Sequence, residues 1–173
     1  MSPLVAAEIR TERLLLRPIV LEDLDGFVTL HADPEVVRFI GDGSTSARDE
    51  TAEWLDRTIA RNALEGWDRR SVLLAGDGVL IGWCGIAVHG IEGGIEREVG
   101  YVLAREHWGR GFATEAATAM RDHALGSMRL RRLVALIDHG NEASQRVAGK
   151  LGMAYERNIR FHDRVVQMHA LEV

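Results

Sequence analysis

The sequence predicts an α/β fold with a mixed sheet, and three observations carry that expectation. Short apolar runs bounded by turn residues recur along the chain, at residues 11–18, 70–75, 79–88, 95–104, 132–138, 153–161 and 165–171, as strands do. Apolar residues at helical spacing occupy the intervals at 22–32, 46–64 and 111–127. The succession 95–104, 111–127, 132–138 reads strand–helix–strand, which implies a parallel pair joined by a right-handed crossover.

In chain order, Pro18 ends the first strand, because its ring fixes φ and removes a backbone donor. Leu24, Phe27, Val28 and His31 share one face of the first helix. Asp33-Pro34 reads as an N-cap with proline at the first helical position, opening a short helix to about Ile40. Residues 41–46 form a loop. Ser46 begins a longer helix with Ala52, Leu55, Ile59 and Ala63 on one stripe, closed by Gly66. Gly76-Asp77-Gly78 is a hairpin turn, and the glycine-rich residues 89–94 read as a second turn. Asn141 caps a helix that ends at Lys150-Leu151-Gly152. The last two runs make a closing antiparallel hairpin with Asp163 near its turn.

The 173 residues suit a single domain, 1–173, with one core. No apolar run reaches the length of a membrane span, and residues 1–10 lack the apolar stretch of a signal peptide. Cys84 is the single cysteine, so no internal disulfide forms, which fits a reducing cytoplasm. It lies in an apolar run and reads as a small buried hydrophobe. The net charge of −5 argues against a nucleic-acid partner and suits a cationic substrate such as an amine. The Cys and His spacings offer no metal site.

Residues 98–119 organise the chemistry. A strand leads through Arg105 to His107 into Trp108-Gly109-Arg110-Gly111-Phe112-Ala113, which opens a helix. Small residues there let backbone N–H groups converge, and the first N–H groups of a helix lack internal partners. With the helix dipole they make an anion site suited to phosphates. A P-loop is excluded, because no G-x-x-x-x-G-K-[ST] run exists. A dinucleotide loop, as in a nucleotide-binding oxidoreductase, fits less well. Thr114 stands at its third glycine and the charged link delays the turn, although Asp138 could mimic the ribose-binding acid.

The stretch resembles the GNAT family of acyl-CoA N-acyltransferases, whose Q/R-x-x-G-x-G/A signature Trp108 to Ala113 matches with Trp in the opening position. Residues 11–18 and the run Asn141 to Met153 resemble the RimJ/RimL-type branch, which modifies protein N-termini and related amines. The resemblance implies the GNAT fold: a mixed, mostly antiparallel central sheet with a splayed parallel strand pair, flanked by helices. It implies acetyl-CoA as cosubstrate and an amine as acceptor. The backbones of Tyr101, Val102 and Leu103 would pair with the pantetheine arm. Residues Trp108, Gly109, Arg110, Gly111, Phe112 and Ala113 would hold the pyrophosphate, and Asn141 would approach the pantetheine while capping its helix.

The implied reaction is direct attack of a neutral amine on the thioester. An alkylamine is mostly protonated at neutral pH, so a base or water relay is needed. Glu98 is the candidate base, with Glu96 a rival on the same face. A backbone N–H near Val102 would stabilise the oxyanion. Many GNAT enzymes use a tyrosine in the last helix to protonate the thiolate. The matching position is Ala148, which also leaves open a non-catalytic acyl-CoA sensor on the same fold. Ser144 fits the serine that Rim-type members often place earlier in that helix, and Tyr155 is the fallback acid. Trp54, Trp67 and Trp83 read as core, His139 as a solvent-facing loop residue, and the closing strand as an edge free to make a homodimer.

Overall fold

In the computed structural model, which describes residues 8–64 and 67–173, one eight-stranded sheet runs in the order β1-β2-β3-β4-β5-β6-β8-β7. The strands are β1 Ile9–Arg10, β2 Leu14–Pro18, β3 Asp68–Leu74, β4 Leu80–Ile91, β5 Gly94–Leu103, β6 Arg132–Ile137, β7 Ala154–Phe161 and β8 Arg164–Glu172. Every neighbouring pair is antiparallel except β5 and β6. The helices are α1 Leu24–His31, α2 Pro34–Val37, α3 Arg48–Leu64, α4 Phe112–Gly126 and α5 Glu142–Lys150. This is the mixed, mostly antiparallel sheet with one parallel pair that the resemblance implies. It overturns the dinucleotide-binding reading, because that fold needs a mostly parallel sheet and this one has a single parallel pair among the described residues.

The period-2 alternation of the strands sends side chains to opposite faces of the sheet, where separate clusters form, a further one joining Val134 to Ile159, Val166 and Met168. One face carries Leu14, Leu16, Val72, Cys84, Ile86, Val99 and Leu133, which pack with Phe112, Ala116, Met120 and Ala124 of α4. The other face carries Trp83 and Val102, which pack with Phe27 and Leu30 of α1 and Leu55 of α3. Cys84 and Trp83 are adjacent in β4 yet serve opposite cores, and both are buried as expected. Burial also pushes the Cys84 thiol well above its ordinary pKa. No helix among the described residues is long and apolar enough to cross a membrane.

Several boundaries differ from expectation for local reasons. The strand expected at 11–18 begins only at Leu14, because a turn in which the Thr11 N–H donates to the Leu14 carbonyl divides it from the two-residue β1 before it. α2 stops at Val37, three residues early, although Asp33 caps it as expected by accepting from the Glu35 N–H. α3 begins at Arg48 rather than Ser46, and its buried stripe is Thr51, Leu55 and Thr58 rather than the alanines. Gly66, expected to close it, lies outside the described residues.

At residues 89–94 the expected turn is present but confined to two residues, and the rest is strand. β4 runs on to Ile91, and the reversal is only Glu92-Gly93. Both have positive φ, 49° and 83°, as a tight two-residue hairpin requires.

The β5–β6 ladder holds one registered pair, Glu98 with Val134. Beyond it β5 leans away from β6 and stays bonded to β4 through Leu103. β8 rather than β7 then pairs with β6, so the closing hairpin leaves β7 as the sheet edge.

Candidate active site

At the end of β5, Gly109 and Gly111 take φ of 70° and 81°, a region that side chains disfavour. Gly111 is the N-cap of α4, and no side chain caps that helix. Among the described residues, no N–H from Gly109 to Thr114 donates to the protein; the first helical bond is from Glu115 to the Gly111 carbonyl. A row of outward-facing donors at the positive end of a fifteen-residue helix is a ready anion site.

A clamp from the start of the chain holds this loop. The Arg13 guanidinium lies 2.7 Å from Glu115 and also donates to the Arg110 carbonyl at 2.9 Å. The Thr11 hydroxyl and the Arg13 N–H both donate to the same carboxylate, at 2.6 and 2.9 Å. Burial alone would raise the Glu115 pKa, but these hydrogen bonds outweigh it and hold the group below its ordinary value. Arg13 stacks on the Phe112 ring at 4.5 Å, so a cation stands beside the open donors. Arg13 lies in the 11–18 motif and Glu115 in the helix that follows the glycine loop, but sequence reasoning assigned neither a role.

The splayed edge of β5 narrows the roles expected of its backbone. A Cβ on Gly82 of β4 would meet the Val102 carbonyl oxygen at 2.0 Å, so Val102 turns its polar groups toward β4. The Ala104 N–H donates to Ile81 of β4 at 2.8 Å, in the same phase. By strand alternation, Tyr101 and Leu103 face the open side. The Leu103 carbonyl accepts from the Trp108 indole at 2.8 Å, which ties the loop to the strand. The free groups on this edge are therefore the Tyr101 amide and carbonyl and the Leu103 N–H.

Glu98 is in the middle of β5 rather than at its head. Its carboxylate lies 2.7 Å from His89 Nε2 on β4, and both side chains are mostly buried. His89 meets Trp67 and Phe161 edge-on, with ring centroids 5.7 and 4.9 Å away. Gly100, two residues on, leaves the floor beside Glu98 bare; a Cβ there would lie 4.0 Å from the Glu98 carboxyl carbon and 3.8 Å from the Trp83 ring. The rival Glu96 is held by Arg132, which also binds Glu156 and Glu172. That network pushes the Arg132 pKa up, chiefly through Glu156.

Ser144 stands in the first turn of α5, where its N–H donates to the Asn141 side chain at 3.1 Å. Its hydroxyl accepts from the Tyr101 hydroxyl at 3.0 Å. Sequence reasoning used only the Tyr101 backbone and missed this contact. Burial is the main cause that pushes the Tyr101 pKa up to about 12. Ala148 is buried in the core under α4. Tyr155 is exposed on β7, three strands from β5, where its hydroxyl donates to Asn158. His139 is exposed and within 3.3 Å of Gln167. A cavity of about 260 Å³ opens between α1 and the ends of β4 and β5, lined by Asp33, Ala104 and Arg105 among others; neither Glu98 nor Ser144 lines it.

Residues 13–154 match the family described as acetyltransferase (GNAT) domain. The chain is 36% identical over 172 residues to an uncharacterized protein of Bacillus subtilis (strain 168), YkkB, with 92% of each chain covered. It is 32% identical over 155 residues to an uncharacterized N-acetyltransferase of Bacillus licheniformis, p20, covering 89% of this chain and 86% of that one. Among solved structures, an acetyltransferase from Agrobacterium tumefaciens str. C58 superposes with a TM-score of 0.82 at 29% identity, covering 96% of this chain and 95% of that one.

Proposed function

The chain belongs to the GNAT acetyltransferase family, and from that premise we propose that it transfers an acetyl group from acetyl-CoA to a primary amine by direct attack. The observation that carries this reading is the open row of N–H groups from Gly109 to Ala113 beside the splayed edge of β5. A diphosphate suits that row, with Arg13 adding positive charge. The amide-rich pantetheine arm suits the free polar groups of Tyr101 and Leu103. Asn141 fits as the helix cap at the far side of the gap, its carbonyl engaged by Ser144.

Acetyl-CoA, when bound, supplies the thioester that the amine attacks: a C–N bond forms, the C–S bond breaks and the thiolate leaves. Glu98 accepts the proton lost by the amine, directly or through water, and His89 holds its carboxylate in place. The Tyr101 N–H faces the open side, nearer Glu98 along β5 than the Leu103 N–H, and suits the developing oxyanion better than Val102, whose amide belongs to the β4 ladder; the Tyr101 carbonyl and the Leu103 N–H are left for the pantetheine arm. Ser144 donates to the leaving sulfur. Because its oxygen accepts from Tyr101, its own proton is left for the thiolate. The RimJ/RimL-type motifs support a protein N-terminal amine or a small-molecule amine as acceptor, in a reducing cytoplasm.

The test is release of free thiol from acetyl-CoA across amine classes, N-terminal peptides included, together with calorimetric titration of CoA. CoA binding with amine-dependent release is expected. Tight binding without release on any amine would leave the acyl-CoA sensor instead.

A further inference from the structure

The face of the sheet that carries Glu98 also carries an arginine that has no ionic partner among the described residues. Arg69 on β3 lies opposite Gly85, which lies opposite Gly100 on β5, so all three share one face. The Arg69 guanidinium stacks on two indoles, 4.6 Å from the Trp67 ring and 4.5 Å from the Trp83 ring. Among the described residues it makes no side-chain hydrogen bond or ion pair; its backbone alone is tied, to Asn62. Burial is the main cause that lowers its pKa to about 10, and the Glu98 charge works in the opposite direction.

A half-buried guanidinium with two ring faces covered keeps its planar edge of N–H donors unused. Stacking returns part of the cost of burial, but the donors still lack acceptors. The β3 backbone sits directly against Gly85, where a Cβ would meet Arg69 Cα at 2.4 Å, and at Gly100 no side chain stands between the Trp83 ring and the Glu98 carboxylate. Two strand spacings, about 10 Å between backbones, separate Arg69 from Gly100, and the long Arg69 side chain shortens that gap.

We propose that Arg69 receives a carboxylate of the acceptor, so that the substrate is a small amine carrying its own carboxylate, with the amine at Glu98 and the carboxylate on the Arg69 edge. This rests on the acetyl-transfer reading of the same site. A guanidinium fork matches a carboxylate with two parallel hydrogen bonds, and the indole stack pre-orients it. Arg61 also stacks on the Trp67 ring, at 4.7 Å, so the corner is cationic, while Glu98 stands nearby as an anion; the planar Arg69 fork matches a planar carboxylate better than a tetrahedral phosphate. A cationic polyamine is disfavoured, since its second ammonium would meet Arg69.

The experiment compares matched amines, each α- or ω-amino acid against the amine lacking its carboxylate, for thiol release and for calorimetric binding to the CoA-loaded protein. At least tenfold preference for the acids is expected in both measurements. Arg69→Gln brings the ratio near one, and Arg69→Lys keeps part of it; CoA affinity serves as the check that each variant is folded. Equal or better use of the amines lacking carboxylate by the unaltered protein overturns the inference, as does a preference that survives in Arg69→Gln. Selective use of N-terminal peptides over every small acid overturns it as well. The binding arm separates the two readings: failure of thiol release with every amine would sink acetyl transfer, while the binding ratio alone decides the role of Arg69.

Discussion

The Tyr101 hydroxyl donates to Ser144 Oγ across 3.0 Å, linking the splayed edge of β5 to the first turn of α5. With its oxygen accepting from Tyr101, Ser144 keeps its own proton for another acceptor. Because burial pushes the Tyr101 pKa up to about 12, the phenol remains a donor through neutral and mildly alkaline pH. Removing it by Tyr101→Phe should lower kcat by ~10-fold, the worth of one hydrogen bond. Ser144→Ala should cost at least as much. The Tyr101→Phe deficit should be the same at pH 7 and pH 9. A deficit that disappears at pH 9 would mean that the phenol had already ionised and was not the donor.

Glu98→Gln should lower kcat/KM by ~100-fold, at the low end for a general base, while CoA still binds. His89→Ala removes the side chain 2.7 Å from that carboxylate, and also a ring between Trp67 and Phe161. His89→Gln keeps a donor without the ring and should recover part of the loss. Steady-state kinetics with the preferred amine measure both. Unchanged kcat/KM in Glu98→Gln would leave proton removal to another group.

Gly111→Glu should weaken CoA binding by ~10-fold or more, about 1.4 kcal/mol, since it puts a carboxylate at the anion corner. A Cβ there would also approach an Arg13 guanidinium nitrogen at 3.3 Å, in a left-handed conformation. Arg13→Gln should weaken CoA by ~3-fold to 10-fold, and more so at low salt, as loss of a partly exposed charge beside a diphosphate implies. Calorimetry at two ionic strengths reads both. An affinity unaltered in the folded Gly111→Glu variant would remove this corner as the diphosphate site.

What was legible in the sequence was local. The strand–loop–helix through Gly111, the Asn141 cap and the closing hairpin each depend on a few adjacent residues, and each is present. What was missed depends on distant residues. The Arg13–Glu115 clamp spans 102 positions; Arg13 lies in the 11–18 motif, but nothing local pairs it with Glu115. His89 was hidden by its setting: Gly90, Gly93 and Gly94 gave the stretch a loop-like composition, but only Glu92-Gly93 turns. With the hairpin in place, the pairing of His89 with Glu96 brings it diagonally next to Glu98. The side chain of Tyr101 was overlooked because its partner arrives from a helix after the crossover. Alternation along β5 did hold the clue, since it sends Tyr101 to the α4 side and Glu98 to the other.

His31 provides a test of packing on the acceptor side that needs no ligand. It is buried against Phe27 and Trp54, with ring centroids 6.1 and 4.7 Å away. Burial, aided by the positive charge of Arg69, lowers its pKa from 6.5 to about 4. The folded state thus holds the imidazole neutral where the unfolded chain would protonate it. Above pH 6.5 neither state binds the proton, and His31 gives no pH dependence. As the pH falls from 6.5 toward 4, the unfolded chain gains protons that the folded one refuses, so stability declines. Between pH 7 and pH 5 the loss from this one group is about 2 kcal/mol. His31→Gln should be less stable than the parent at pH 7, because the ring contacts are gone, but its stability should fall less between pH 7 and pH 5. Urea midpoints at the two pH values measure the difference. Parallel declines in the two proteins would show that His31 takes up its proton without leaving the core.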